Sequence, residues 1–425
     1  MSGGDDSGGH REILVQAGTV YAGTAARAAL ALGINLLVAR WLGPERYGIY
    51  SLFVATAAIF FSAFGDAFNA GLVRYYAFFA ERDQGRAAGV IGNSIALRLA
   101  IAVPLTGAGI AASGWLGRSV LEQPGAGWAL RMGVMAAFLH GFTTFALSIL
   151  QARAQFVLRS VIFPLANVVL ILLLPLLLLG GWLSLRPLLW ANLLAAAVAA
   201  GVGLWLVRDE LRRARVDRAG LRALFGFTRW SAASHFIFMV SVSLSVPVLT
   251  RVHGAAAAGI FAAGASLVLV VEMVAAAIMT VQLPTMSRLA ESAALRAYLR
   301  RSFASYLGVA LLCSPLFVLA RGIVELVYGP DYAASAAVVQ LLLVGALVSL
   351  MTHPLAQVFY AVNRPELSVL VSAVSTLAWI GAAMFLIPPY AAFGTAATMV
   401  VSRAVSAVMI VALVAKVLAR TEPVV

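Results

Sequence analysis

The chain has almost no means of cross-linking itself and carries little charge. One cysteine, Cys313, stands among 425 residues and lies in an apolar stretch, which excludes a disulfide framework and a thiolate metal site. Charged residues make up 11% of the chain against 62% hydrophobic, where a soluble domain carries roughly a quarter charged. Lysine is nearly missing: Lys416 is the only one among 30 basic residues, a bias that looks like codon usage more than physics. Met1 to His10 is Gly-, Ser- and Asp-rich, without a basic n-region or a small-residue cleavage site, so the first apolar segment is expected to remain as a transmembrane helix. His140, His235 and His353 fall in three separate apolar segments without metal-ligand spacing, and neither a metal nor a cofactor is expected.

What is present is a succession of long apolar runs, and only a membrane-embedded helical bundle accommodates them. Twelve spans are expected, at 13–39, 47–72, 88–113, 128–151, 157–180, 184–207, 224–250, 255–283, 302–327, 333–361, 366–388 and 391–417. With both termini cytoplasmic, that side receives 19 basic residues and the opposite side six: Arg40, Arg46, Arg118, Arg186, Arg251 and Arg321. The positive-inside rule supports this orientation. Net charge +13 therefore reflects topology and not a nucleic-acid partner. The densest basic stretch, Arg208 to Arg222, reads as a cytoplasmic linker anchored beside anionic lipid. Outer loops are short, the longest running from about Gly114 to Gly127, so no extracytoplasmic domain is expected.

One passage occurs twice. Arg40, Gly43, Gly48, Ile49 and Tyr50 recur as Arg251, Gly254, Gly259, Ile260 and Phe261, each at an offset of 211. The repeat predicts an all-α integral membrane protein of about 12 helices, in two six-helix bundles related by a pseudo-two-fold axis along the membrane normal. The expected halves are residues 1–215 and 216–425. Gly43 and Gly48 flank a tight turn in which Pro44 can start the next helix, so the repeat reads as structural.

Five arginines remain inside the spans: Arg27, Arg98, Arg131, Arg229 and Arg403. Asp66 and Glu272 are the acidic residues at comparable depth. A charge at a helix centre costs about 2.5–3.5 kcal/mol on insertion scales, so these side chains must face protein, water or a ligand, unless they snorkel from a span end. Thr24, Arg27, Ala31 and Asn35 share one helix face; Ser62, Asp66 and Asn69 share another, and Ser94 lies one turn before Arg98. Such faces can line a cationic cavity for an anionic substrate, because guanidinium groups bind phosphate through paired hydrogen bonds. Trp230 and Tyr21 are placed to stack on sugar rings. Asp66 and Glu272 are candidates to carry a coupling H⁺ or Na⁺; the alternative is internal ion pairing, Arg27 with Asp66 or Arg229 with Glu272.

The segment Leu36-Leu37-Val38-Ala39-Arg40-Trp41-Leu42-Gly43-Pro44-Glu45-Arg46-Tyr47-Gly48-Ile49-Tyr50-Ser51-Leu52 resembles the N-terminal signature of bacterial polysaccharide-biosynthesis flippases, and Leu326-Val327-Tyr328-Gly329-Pro330-Asp331-Tyr332 is also similar to family sequence. That family belongs to the superfamily holding the MATE drug exporters and the lipid II flippase. The resemblance implies translocation of an undecaprenyl-pyrophosphate-linked oligosaccharide from the cytoplasmic to the outer leaflet by alternating access. It also implies a bacterial plasma membrane location, membrane lipids as surroundings and a polysaccharide polymerase as a possible partner. Arg27 is the position that best fits the family's cationic cavity residues.

Other readings are weighed on the same residues. A major-facilitator permease would carry an Asp-Arg-x-Gly-Arg loop after a Gly, of which Asp83-Gln84-Gly85-Arg86 is only a fragment. A MATE-type exporter of cationic drugs would favour an acidic cavity, against the arginines seen. A membrane glycan enzyme would need acidic or cationic residues on substantial outer loops, and the first outer loop offers only Glu45 as an acid. The chain is therefore expected to be a transporter and not an enzyme.

Overall fold

A computed structural model describes residues 6–65, 68–123, 125–286, 303, 306–361, 364 and 366–420. Every element among them is helical: α1 (Asp6–Phe64), α2 (Asn69–Phe79), α3 (Gln84–Trp115), α4 (Ala126–Ala152), α5 (Phe156–Ile162), α6 (Leu165–Leu179), α7 (Leu185–Leu206), α8 (Arg208–Arg213), α9 (Arg218–Ser243), α10 (Ser245–Met286), α11 (Tyr306–Cys313), α12 (Pro315–Tyr328), α13 (Ser335–Ala361) and α14 (Glu366–Arg420). Among the described residues eight helical stretches are long and apolar enough to cross a membrane, one joining α5 with α6 and one running from α9 into α10, or nine if α11 and α12, bent by 44° at Ser314, count as one.

Several expected spans differ in detail, each for a backbone reason. The span read at 47–72 ends at Phe64 and resumes as the separate α2. The span read at 157–180 breaks at Pro164 into α5 and α6, because proline supplies no N–H to the preceding turn. Three helices contain one non-helical residue each. Gly43 (φ 72°, ψ 169°) interrupts α1 and Gly254 (φ 84°, ψ 174°) interrupts α10, at equivalent positions of the repeat. Ala391 (φ 47°, ψ −125°) interrupts α14 just after Pro388 and Pro389, in a region that strains a residue bearing a Cβ.

Contacts divide the chain into two compact units. The first comprises residues 1–34 and 52–239; the second comprises 35–51 and 240–425. Leu72, Ile91, Phe145, Ile149, Leu150 and Val207 form a core in the first, and Val358, Phe359, Val371, Ile410 and Val414 one in the second. Leu172, Leu176 and Leu179 on α6 stay exposed, as suits a face turned to lipid.

Both copies of the repeated turn belong to the second unit, where they pack on each other. A Cβ on Gly48 would collide with the Ala255 carbonyl, and one on Gly259 with the Pro44 carbonyl. Ala255 is Pro44 carried forward by the repeat offset, so the contact is reciprocal, as a two-fold relation requires. Around it, the Arg40 guanidinium donates to the Leu326 carbonyl at 3.1 Å, serving an acceptor in the last turn of α12. The Tyr332 hydroxyl donates to the Ala39 carbonyl at 2.8 Å, and the Tyr47 and Tyr332 rings meet edge to face at 6.3 Å.

In the first unit, the segment between α8 and α9 is pinned to α3. Asn93 Nδ2 donates to Asp217 Oδ2 at 2.9 Å, the Asp217 amide donates to Asn93 Oδ1 at 3.0 Å, and the Gly220 amide donates to Asp217 Oδ1 at 2.6 Å. The Gly220 amide, with Asn93, holds the Asp217 carboxyl below the usual carboxylate range.

Two predictions follow from these contacts. Gly48→Ala and Gly259→Ala should each lower the melting temperature in detergent, at about 1–3 kcal/mol for an overpacked contact. Because the two glycines share one crossing, the double variant should lose less than the sum. For Asp217, the depressed carboxyl means its contribution is fully present above the ordinary carboxylate value and fades as pH falls through its lower, folded value. Melting temperatures taken from pH 6 down to pH 3 should therefore drop more steeply for the wild type than for Asp217→Asn.

Candidate functional site

Helix α1 packs against α5 where Gly23 faces Ser160; a Cβ on Gly23 would lie 2.8 Å from the Ser160 carbonyl oxygen. One turn further along α1, the Arg27 guanidinium lies 4.4 Å from the centre of the Phe163 ring. Arg159, one turn before Phe163 on the same face of α5, lies 5.5 Å from that ring. Helix α5 ends at Ile162 with Phe163 as its cap, just before Pro164, which leaves this ring at the junction with α6. Two guanidinium groups thus contact one aromatic ring, each contact worth about 0.5–2 kcal/mol depending on desolvation. Arg27 remains exposed although it stands in an apolar span, and Arg159 is half-buried.

Arg98 is held differently. It is 1% exposed, the largest fully buried side chain of the molecule's described part, with its guanidinium 5.3 Å from the Phe145 ring. It donates to the Gly141 carbonyl of α4, to the Gly65 carbonyl at 3.4 Å and to Asn69 Oδ1 at 2.6 Å. These acceptors lie on α4, at the end of α1 and on α2, so one side chain ties α3 to three other segments. The polar residues expected to line a cavity beside it serve the interior instead. Ser62 is fully buried and donates to the Ile59 carbonyl at 2.7 Å, and Ser94 is buried.

The remaining candidates separate. Arg131 is exposed, its Nε 3.4 Å from Ser113 Oγ, and Arg229 is exposed on α9. Asn35 is half-buried and falls in the second unit with Glu272 and Arg403. There, Arg403 forms an ion pair with Glu272, with side chains 24% and 36% exposed. Asp66 lies outside the described residues, as do the side chains of Trp230 and Tyr21. Among the described residues no group of His, Cys, Asp and Glu is arranged to hold a metal ion.

Sequence reasoning missed Arg159 and Phe163, although their four-residue spacing on one helix was a signal. It also missed His253, inside the second copy of the repeat. Its Nε2 lies 2.9 and 3.0 Å from the carbonyls of Ile387 and Pro388, acceptors freed by the break in α14.

A bundle of interrupted apolar helices with cationic side chains inside its spans is the build of a multi-pass membrane transporter. Solved structures of the MOP superfamily share this fold. An inward-facing multidrug resistance MATE family transporter is 18% identical, covering 92% of this chain and 94% of its own, with a TM-score of 0.76. The lipid II flippase MurJ in an inward closed conformation is 12% identical over 93% and 87%, with a TM-score of 0.73. A MOP superfamily transporter from Pyrococcus furiosus, described as having a binding pocket of reverse polarity, is 18% identical over 94% of each chain, at 0.67. The major-facilitator alternative falls with this fold. No curated protein sequence matches the chain. The model of the family described as polysaccharide biosynthesis protein matches residues 15–290, more than half the length. The chain belongs to that family.

Arg98→Ala should leave four segments without their common donor. It should cost about 1–3 kcal/mol for each buried acceptor left without its donor, and Arg98→Lys should not restore it because an ammonium cannot span the same acceptors. Detergent melting curves check this; unchanged curves would remove the strut role.

Proposed function

We propose that the protein is a flippase that carries an undecaprenyl-pyrophosphate-linked oligosaccharide from the cytoplasmic to the outer leaflet for polysaccharide assembly, by alternating access. The family match supports the polysaccharide context, and the fold shared with a lipid II flippase supports a lipid-linked substrate. The observation that carries the residue-level reading is Arg27, exposed within an apolar helix and sharing Phe163 with Arg159. Paired guanidinium forks suit a pyrophosphate, whose oxygens accept parallel charge-assisted hydrogen bonds. Lipid tails can stay in the bilayer while the head group meets these cations. Arg131 and Arg229, also exposed, are further cations open to such a substrate. Arg98 acts as the strut that holds its helices in place.

The interrupted helices fit twelve crossings. Hydrocarbon about 30 Å thick takes about 20 helical residues. The apolar stretches containing Gly43, Gly254 and Ala391 run 43, 39 and 52 residues, each long enough to cross twice. We read each as a hairpin turned at its non-helical residue. The charge asymmetry of the loops supports cytoplasmic termini, and the family match supports the inner membrane of a bacterial cell as its place.

Arg27→Ala should abolish export of the glycan to the cell surface while membrane levels of the protein stay normal, with surface glycan and membrane protein measured on the same cells. Arg27→Lys should retain part of the activity, because charge persists while the bidentate fork is lost. Full export by Arg27→Ala would overturn the reading.

A further inference from the structure

Helix α9 carries three arginines and no acidic residue. With 3.6 residues per turn, Arg218, Arg222 and Arg229 fall within about 40° of one another around its axis, and Phe225 lies on the same stripe. All four side chains are exposed. The helix meets α2 through other sides. Leu224 and Thr228 are buried, and a Cβ on Gly71 would lie 2.6 Å from Thr228 Cγ2 and 2.8 Å from Leu224 Cδ1. Phe227 meets the Tyr75 ring edge to face at 5.6 Å, with the Arg74 guanidinium 4.9 Å from its centre. Packing thus holds α9 in place and leaves the arginine stripe open.

The foot of the stripe is fixed as well. Asp217, the acid next to Arg218, is committed to Asn93 of α3 and to the Gly220 amide. A Cβ on Gly92 would collide with the Arg215 carbonyl, so the chain entering α9 lies against α3. Arg218 and Arg222 precede the span expected at 224–250, and Arg229 lies just inside it. At 1.5 Å of rise per residue they stand about 6 Å and then about 10 Å apart along the axis. The positive-inside rule asks for cations at this end of the helix. It does not ask for their alignment on one stripe that continues into apolar sequence.

We propose that this stripe is the loading site for the substrate: Arg218, Arg222 and Arg229 engage the pyrophosphate in succession as it passes from the cytoplasmic head-group layer into the membrane. The proposal rests on the flippase reading and adds to it a path of entry. An anion leaving the interface loses hydration, and charge among apolar groups is costly. Guanidinium groups at successive depths offset that loss with charge-assisted hydrogen bonds. Phe225 gives the stripe an apolar surface for the start of the lipid chain. Exposed cations of this kind act mainly on the rate of encounter, and salt screens them.

The test is stopped-flow binding of fluorophore-labelled geranyl pyrophosphate to the full chain in phosphatidylcholine nanodiscs, with empty nanodiscs as the baseline. Arg218→Gln combined with Arg222→Gln should slow association about tenfold and leave dissociation nearly unchanged, and high salt should erase most of the difference. Arg218→Lys combined with Arg222→Lys keeps the charge and should associate at close to the wild-type rate. Arg27→Ala should instead speed dissociation. Both double variants should melt with the wild type, because the side chains they change are exposed. Equal association rates for the wild type and the glutamine variant overturn the loading site and leave the flippase reading standing. Phosphatidylglycerol added to the nanodiscs should preserve the wild type's advantage; its disappearance means that bulk anionic lipid occupies the stripe, which also overturns the proposal. A wild type that binds no pyrophosphate removes the substrate of the flippase reading, and the loading site with it.

Discussion

Hydrocarbon offers no hydrogen bonds, so each backbone N–H and C=O of a spanning segment needs a partner inside the protein. Long helices meet that demand automatically, and the informative places are those where a helix stops. At the Pro388–Pro389 break of α14, His253 reaches the freed carbonyls; near the end of the first arm of α1, the Tyr332 hydroxyl serves Ala39; in the last turn of α12, Arg40 serves Leu326. Three residues in the repeated passage and its companion motif thus do one job: they supply donors where the helical ladder ends.

The same constraint sorts the arginines. A guanidinium inside apolar helices has to be surrounded by acceptors, paired with a carboxylate, or left where water or a ligand can reach it. Arg98 takes the first solution and Arg403 the second, while Arg27 stays exposed against the ring of Phe163. Positive charge in a membrane protein is thus no single signal of function. What a cation does is decided by whether its neighbours already satisfy it.

Sequence carried the helical class, the internal repeat and the family signature, because these depend on local composition and on spacing along the chain. It could not tell Arg98 from Arg27. Both sit well inside apolar spans on polar helix faces, and helix phase says which residues share a face but not what that face meets. Glu272 likewise has its partner 131 residues away, on α14. The span read at 157–180 matches an apolar stretch of 156–179 that carries a local break at Pro164, while the one read at 47–72 reaches only Phe64 as a continuous helix. Residues 35–51 are contiguous with the first-half helices, yet pack with helices some two hundred residues downstream. No local pattern announces such an exchange of partners.

That exchange bears on how the protein is made. At about 5–20 residues per second of synthesis, the first copy of the turn leaves the ribosome roughly 10–40 s before the second copy exists. During that interval Gly48, Tyr47 and Arg40 are in the membrane without the surfaces they fit, so the early helices wait as an open intermediate. The glycine crossing is then a late event in biogenesis: it closes only once the second copy has been made, and a product truncated before Ala255 would leave Gly48 without its counterpart.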